Sequence, residues 1–201
     1  EALKATTTAG GKTVVEAVNN AIATIGENMN LRRAARLKVG SGAVVPYVHN
    51  AVASGLGKIG VLVALESSGD ADKLSDLGKQ IAMHVAAAQP EFLDVSSVDA
   101  DALNREREVL ADQARASGKP EEIVDKMVEG RLRKYYEEVV LAEQVFVIDG
   151  ENRISQVLEQ ASKDLGTPVT VAGFVRYGLG EGIDKKEEDF AAEVAAVAGA
   201  S

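Results

Sequence analysis

The sequence predicts an α+β protein with a projecting helical arm. Amphipathic helical patterns alternate with β-branched runs bounded by glycines, which is the mixture expected when helices pack on a small antiparallel sheet. A long and highly charged helical stretch, residues 101–142, interrupts that mixture. The 201 residues are 46% apolar, which is enough to bury a hydrophobic core.

The first third of the chain predicts one helix and two strands. A stripe of apolar residues at helical spacing, closed by Gly26, predicts a helix over residues 12–25. The members of this stripe are Val14, Val15, Val18, Ile22 and Ile25. The runs AVVPYVHN and KIGVLVAL predict two antiparallel strands, with AVASGLG between them as a long hairpin connection. The segment ENMNLRRAARL is ambiguous, because its propensity favours helix and its position beside the strands favours strand.

Helical spacing dominates the middle of the chain. One helix is predicted over residues 70–88, with Pro90 just beyond its end. Its stripe consists of Leu74, Leu77, Ile81, His84 or Val85, and Ala88. Residues 101–142 then predict two charged helices joined at SGKPEE, where Gly118 suits a helix C-terminus and Pro120 suits the next N-terminus. Because the apolar stripes are narrow and flanked by charge, this hairpin is expected to project as an arm.

The last third of the chain returns to mixed helix and strand. RISQVLEQASKDLG has the stripe of an amphipathic helix, and PVTVAGFVRYGLG alternates as a strand does. Asp184 and Glu187 then resemble a capping box, which predicts a short terminal helix after them.

Composition narrows the classes of partner. Thirty-one acidic residues against twenty-two basic ones give a net charge of −9, which disfavours direct binding of nucleic acid. The absence of cysteine excludes disulfides and thiolate chemistry and favours a reducing, cytoplasmic location. The chain has no apolar run of about eighteen residues, so neither a membrane span nor a secretory signal is predicted. The expected partner is therefore another protein.

Two glycine-containing motifs resemble nucleotide-binding loops but fail on spacing. GGKT precedes a helix as a phosphate-binding loop does, yet the first glycine of that pattern would fall at Thr6. GLGEG follows a predicted strand, but a dinucleotide fingerprint needs its third glycine three residues after the second. We therefore expect an ordinary helix start, a flexible turn and no cofactor.

The histidines and paired carboxylates are the remaining candidates for chemistry. His49 ends a predicted strand without an evident second ligand, so a surface or turn position is expected. Three roles stay open for His84: a packed or hydrogen-bonded core residue, an interface contact, or a catalytic or metal-binding residue. The acidic residues of the hairpin alternate with Arg and Lys, which is typical of a salt-bridged, solvated face. The residues thus predict a protein-binding module, with no catalytic and no metal-binding residue assigned.

Five stretches in order, from about residue 25 to residue 197, resemble translation elongation factor Ts of the bacterial or organellar type. They are IGENMNLRR, KIGVLVALE, QIAMHVAAAQPEFL, SGKPEEIVDKMVEGRLRKYYEEVVLAEQVFV and VAGFVRYGLGEGIDKKEEDFAAEVAA. Members of this family exchange guanine nucleotide on elongation factor Tu. The family's N-terminal domain and Thr-Asp-Phe element have no counterpart in these 201 residues, so the chain is expected to begin after them.

The resemblance implies a domain organisation. It implies two small antiparallel-sheet-plus-helix subdomains, the first over residues 1–68 and incomplete, the second over residues 69–95 and 143–183. Residues 96–142 would be an inserted helical hairpin of the dimerisation type, with coiled-coil packing. Residues 184–201 would form a C-terminal helical module. The resemblance also resolves ENMNLRRAARL toward a sheet strand.

The resemblance further implies a function and a set of contact residues. The chain would bind elongation factor Tu and promote GDP release, with reduced exchange because the Thr-Asp-Phe element is missing. The residues expected to face Tu are Ile25, Gly26, Glu27 and Asn28, together with His84. The hairpin could also support a homodimer, and the alternative function is a structural helical-hairpin dimerisation protein without exchange activity.

Overall fold

The computed structural model describes residues 1–116, 118 and 120–183. Its helices are α1 (Val14–Ile25), α2 (Ala71–Ala88), α3 (Ala100–Arg115), α4 (Glu121–Val139) and α5 (Ile154–Leu165). Its strands are β1 (Gly42–Ala53), β2 (Leu56–Glu66) and β3 (Thr170–Gly178), and short 3-10 turns cover Ala2–Ala5, Val95–Ser97 and Leu141–Glu143. The predicted α+β class is confirmed. The predicted terminal helix over residues 184–201 lies outside the described residues.

The strands form one antiparallel sheet in the order β1-β2-β3. Ala53 pairs with Leu56, so the β1–β2 hairpin turns through two residues only. The predicted long connection was wrong, because Gly55 takes a φ of +74°, which permits a tight turn that most residues resist. A register shift between Ala51 and Ala53 accommodates the extra length of β1.

The chain divides into two compact units, Glu1–Arg36 and Leu37–Ser201. In the first unit, Thr13 and Glu16 form a capping box at the start of α1, and Gly26 ends the helix in the left-handed conformation. No residue of α1 is buried.

Two separate small sheets are not confirmed within the described residues. The strands β1 and β2, assigned to residues 1–68, pair in a single sheet with β3 from the region 143–183. The domain boundaries implied by the resemblance therefore stay a prediction.

The segment ENMNLRRAARL forms neither the helix favoured by its propensity nor the strand implied by the resemblance. Residues 26–39 have no regular secondary structure. A strand requires a second backbone to pair with, and β1 has only β2 as a ladder partner in the part of the chain that the structure describes. This expectation was wrong for the described structure.

The main core lies in the second unit, between α2 and the sheet. Asp70 caps α2 by accepting hydrogen bonds from the backbone N–H groups of Asp72 and Lys73, both at 3.0 Å. The apolar face of the helix then packs against β1 and β2. The core includes Val61, Val63, Leu65, Leu74, Ile81, Val85, Leu141, Phe146, Ile154, Val169 and Val171. This packing confirms the stripe predicted for α2, with both His84 and Val85 buried on it.

The helical hairpin has an apolar cluster of its own between α3 and α4. Its buried members are Leu110, Ala114, Val124, Val128 and Leu132. The two ends of the hairpin meet at the core, where the N–H of Phe92 donates to Val139 O and the N–H of Leu141 donates to Phe92 O, at 3.0 and 2.8 Å. The two predicted helices are therefore confirmed, and backbone hydrogen bonds join both ends of the hairpin at one point.

Candidate functional site

The first group of predicted contact residues forms an exposed turn after α1. Ile25, Gly26, Glu27 and Asn28 are all exposed, and the Ile25 side chain retains 60% of its accessible surface. Gly26 has a φ of +80°, and its N–H donates to Ile22 O at 2.8 Å. The backbone of this turn is thus fixed while an apolar side chain stays accessible.

His84 lies in the second unit, on the core side of α2, and has 0% exposed surface. Both ring nitrogens are hydrogen-bonded: Nδ1 to the backbone N–H of Val147 at 3.3 Å and Nε2 to Gln144 Oε1 at 2.9 Å. Because a backbone N–H can only donate, Nδ1 must accept and the ring proton resides on Nε2. His84 is therefore the neutral Nε2–H tautomer.

Burial lowers the pKa of the His84 imidazole below its ordinary value, and the hydrogen bond with Gln144 opposes that shift. A general base or metal ligand needs a free lone pair on an accessible nitrogen. Here the Nδ1 lone pair is occupied by Val147, and Nε2 carries the proton. Of the three roles left open by the sequence, the geometry favours a buried, hydrogen-bonded residue and leaves no nitrogen for catalysis or metal binding.

Gln144 connects His84 to the ends of two helices. Its side-chain amide donates to Glu138 O at 2.6 Å and to Ala88 O at 3.4 Å. Both carbonyls belong to the last turns of their helices, α4 and α2, where helical partners are missing. The residue is only 4% exposed, so few water molecules can replace these bonds. Gln144 therefore fixes the ends of α2 and α4 relative to the imidazole.

The segment after Gln144 presents apolar side chains to solvent. Phe146 is buried against the imidazole, with ring centroids 5.9 Å apart, whereas Val145, Val147 and Ile148 are 49%, 48% and 50% exposed. Asp149 closes the segment by accepting hydrogen bonds from the N–H groups of Glu151 and Asn152. We call residues 145–148 the apolar loop. Its backbone is hydrogen-bonded to the core at Val147, and three of its four side chains are about half exposed to solvent.

Comparison with known proteins places these features in a family. The family model described as Elongation factor TS matches residues 1–181. The chain belongs to the elongation factor Ts family. The resemblance inferred from the five sequence stretches is confirmed.

Individual relatives agree with this assignment. The protein named Elongation factor Ts from Rhodospirillum centenum is 67% identical over 189 residues, which are 94% of this chain and 62% of the relative. Those from Rhodospirillum rubrum and Paramagnetospirillum magneticum are 65% and 64% identical, over 98% and 99% of this chain and 64% of each relative. The chain therefore spans less than two thirds of the length of these elongation factor Ts relatives.

The sequence analysis assigned no role to Gln144 or to the apolar loop of this elongation factor Ts chain. The available signal was the run VFVI followed by Asp149 and Gly150, which is apolar but too short and isolated to form a core strand. The loop contacts His84, which lies more than sixty positions earlier, and no local sequence pattern indicates a contact over that separation. Periodicity identified the helix that carries the imidazole but not the loop that it supports.

The two glycine-containing motifs have structural roles. Thr13 of GGKT caps α1, as expected for an ordinary helix start. The turn after β3 is held by Glu181, whose carboxylate accepts from Arg176 Nη1 at 2.6 Å and from the N–H of Gly178 at 2.9 Å. The GLGEG segment is thus a turn braced by an ion pair.

Among the residues that the structure describes, no group of three or more His, Asp or Glu side chains could hold a metal ion. Within the same residues, every helix is too short or too polar to cross a membrane.

Proposed function

We propose that this chain binds elongation factor Tu and promotes release of GDP from it, so that GTP can rebind. The observation that carries the proposal is the elongation factor Ts family match over residues 1–181, which extends through both units. Translation elongation takes place in the cytoplasm, so we place the activity there. The net charge of −9 supports a protein partner and opposes direct binding to nucleic acid.

The mechanism follows from thermodynamic linkage and needs no bond to be made or broken. A protein that binds nucleotide-free Tu more tightly than GDP-bound Tu must weaken GDP binding by the same factor. Couplings of this kind are typically about 1–3 kcal/mol, which corresponds to roughly 5–150-fold in affinity. The chain would therefore act as an exchange factor without catalytic residues.

We assign the Tu-binding surface to two exposed groups, each within its own unit. One is the turn formed by Ile25, Gly26, Glu27 and Asn28, and the other is the apolar loop together with His84 beneath it. Half-exposed aliphatic side chains on a hydrogen-bonded backbone are suited to burial by a protein partner, because little chain entropy is lost on binding. The accessible surfaces of Ile25, Val147 and Ile148 support this assignment.

We further propose that exchange by this chain alone is weak. The 201 residues contain no Thr-Asp-Phe sequence, and the resemblance implies that the phenylalanine of that element wedges into Tu near the nucleotide. Binding energy from the two exposed groups would remain, but the contact that distorts the nucleotide site would be absent.

The test is the release of a fluorescent GDP from elongation factor Tu, with and without the chain, together with a pull-down of the two proteins. Binding with slow or modest acceleration is the expected result. Full acceleration by the chain alone would remove the proposed need for the Thr-Asp-Phe element. If the chain showed no binding to Tu and no acceleration of GDP release, the proposed function would be overturned.

A structural dimerisation role is the second candidate. Val109 on α3 and Ile123 on α4 are 50% and 44% exposed on the otherwise charged hairpin. A second copy of the hairpin could cover them. A molecular mass that rises with concentration, and a monomer after deletion of residues 101–142, would support the dimer. Dimerisation without any effect on GDP release would favour this role over exchange.

A further inference from the structure

The contacts of His84 bear on how it would serve a Tu-binding surface. A residue that contacts a partner directly must offer exposed atoms or unsatisfied polar groups. The imidazole offers neither, since it is fully buried and both of its nitrogens have partners within the chain. A direct contact would leave the Val147 N–H and Gln144 Oε1 without partners inside the protein, which is unfavourable for buried polar groups.

The same contacts attach the imidazole to the apolar loop at two points and to Gln144, the residue just before it. Nε2 bonds to Gln144 at the start of the segment, the ring packs against Phe146, and Nδ1 accepts from the N–H of Val147. The backbone on either side of Phe146 is also fixed: Val145 forms a bridge with Arg153, and residues 147–149 form a turn in which the N–H of Gly150 donates to Phe146 O at 2.8 Å. With the Phe146 ring held inward at 3% exposure, this turn leaves Val147 and Ile148 48% and 50% exposed.

We propose that His84 is a positioning residue, which holds the apolar loop in its binding conformation through the Nδ1 bond to Val147 and does not itself contact the partner. This inference rests on the proposed function, because it takes the apolar loop as part of the Tu-binding surface. It specifies which atom of the imidazole is needed. The acceptor at Nδ1 holds the exposed part of the loop, whereas the donor at Nε2 holds Gln144 and the helix ends.

Two substitutions separate these roles. Asparagine at position 84 carries an acceptor oxygen one bond beyond Cγ, where Nδ1 lies in histidine, but has no group in place of Nε2. Glutamine carries its amide one bond further out, near the position of Nε2, and has no acceptor in place of Nδ1. His84→Asn should therefore keep the bond to Val147, and His84→Gln should lose it.

The experiment combines two measurements on the full chain: amide hydrogen exchange at Val147 in the free protein, and the affinity for elongation factor Tu. We expect His84→Asn to keep the Val147 amide protected and to bind Tu within a few-fold of the wild type. We expect His84→Gln and His84→Ala to lose that protection and to bind about tenfold more weakly, the effect of one hydrogen bond. If His84→Ala does not fold, the Asn and Gln variants decide the question.

Three other outcomes would overturn either this inference or the proposed function. Weaker binding by His84→Gln with a still protected Val147 amide would indicate a direct contact and overturn the inference. Lost protection with unchanged affinity would also overturn it, since the loop would then have no part in binding. A wild-type chain that does not bind Tu would overturn the proposed function, while amide exchange would still show whether Nδ1 holds the loop.

Discussion

Gly78 of α2 lies directly against the side chain of Val45 on β1. A Cβ atom added at Gly78 would come within 2.6 Å of Val45 Cγ2 and 3.1 Å of Val45 Cβ. Glycine in a helix interior is normally unfavourable by about 1 kcal/mol relative to alanine. Here the missing methyl group lets the helix approach the sheet closely, and the same helix carries His84 toward the apolar loop.

The first prediction is that Gly78→Ala destabilises the protein despite the better helix propensity of alanine. Val45 is only 7% exposed and packed in the core, so it cannot move aside without displacing its neighbours. Overpacking of this kind should lower the free energy of unfolding by about 1–3 kcal/mol. Urea denaturation followed by circular dichroism measures the change.

Gly130 on α4 provides the matched control for Gly78. It is also in a helix interior, but a Cβ added there would meet no atom within 4 Å. Gly130→Ala should therefore be neutral or stabilising by up to about 1 kcal/mol. Equal effects of the two substitutions would show that the close approach to Val45 has no energetic importance.

The second prediction concerns stability at mildly acidic pH. The pKa of His84 is lowered by burial, so the unfolded chain binds a proton at this residue more readily than the folded chain. The free energy of unfolding should therefore fall as pH drops below about 6.5, the ordinary histidine value. Comparison of urea midpoints for the wild type and His84→Asn between about pH 7 and 5 isolates this contribution, because asparagine does not titrate.

Carboxylates with lowered pKa values affect stability in a separate, more acidic pH range than His84. Hydrogen bonds from the side chains of Ser96 and Lys163 lower the pKa values of Asp94 and Glu159, respectively, so both carboxylates stay ionised at pH values below their ordinary pKa. Their contributions to stability are lost only as pH falls further, below about 4.5. If the wild type and His84→Asn showed the same slope between pH 7 and 5, the burial of His84 would have no effect on its proton affinity.

The third prediction is that Gln144→Leu is strongly destabilising although leucine has a similar volume. The substitution leaves Glu138 O, Ala88 O and the Nε2–H of His84 without their side-chain partner. Loss of partners for one buried and two partly buried groups should cost about 2 kcal/mol or more. Thermal unfolding or urea denaturation provides the measurement.

Gln160 on α5 is the control for Gln144. Its side chain is exposed and, among the described residues, bonds to Asp164, one turn further along the same helix. Gln160→Leu should change the free energy of unfolding by no more than about 0.5 kcal/mol. A mild effect at both positions would indicate that water replaces the bonds of Gln144.

The contrast between α2 and the apolar loop shows how far the sequence could predict this structure. The ends and buried face of α2 depend on local signals, namely the Asp70 cap, the apolar stripe and Pro90. The hairpin of α3 and α4 follows from the same kind of signal. His84 instead bonds to Gln144 and Val147, which are 60 and 63 positions away, and no periodicity encodes such a pairing.

Strand pairing, like the contacts of His84, could not be predicted from local sequence patterns. The alternating pattern identified β3 as a strand, but its pairing with β2 depends on contacts across more than a hundred residues. The segment ENMNLRRAARL has the same limit. Its propensity favoured helix and the resemblance implied a strand, but the segment has neither, because a strand depends on pairing with another backbone, which the sequence does not display.

The last prediction tests the apolar loop as a Tu-binding surface. Val147→Asp places a carboxylate on a side chain that is 48% exposed, so the free protein should keep its fold and its Val147 N–H bond to His84. A partner that covers the loop would have to bury that charge, which should weaken binding to Tu by at least about tenfold. Val52→Asp on β1 is the control, because Val52 is 79% exposed and lies outside both the loop and the hairpin. Weakening by Val147→Asp alone would locate the contact at the loop, whereas equal affinity of both variants and the wild type would exclude the loop from the interface.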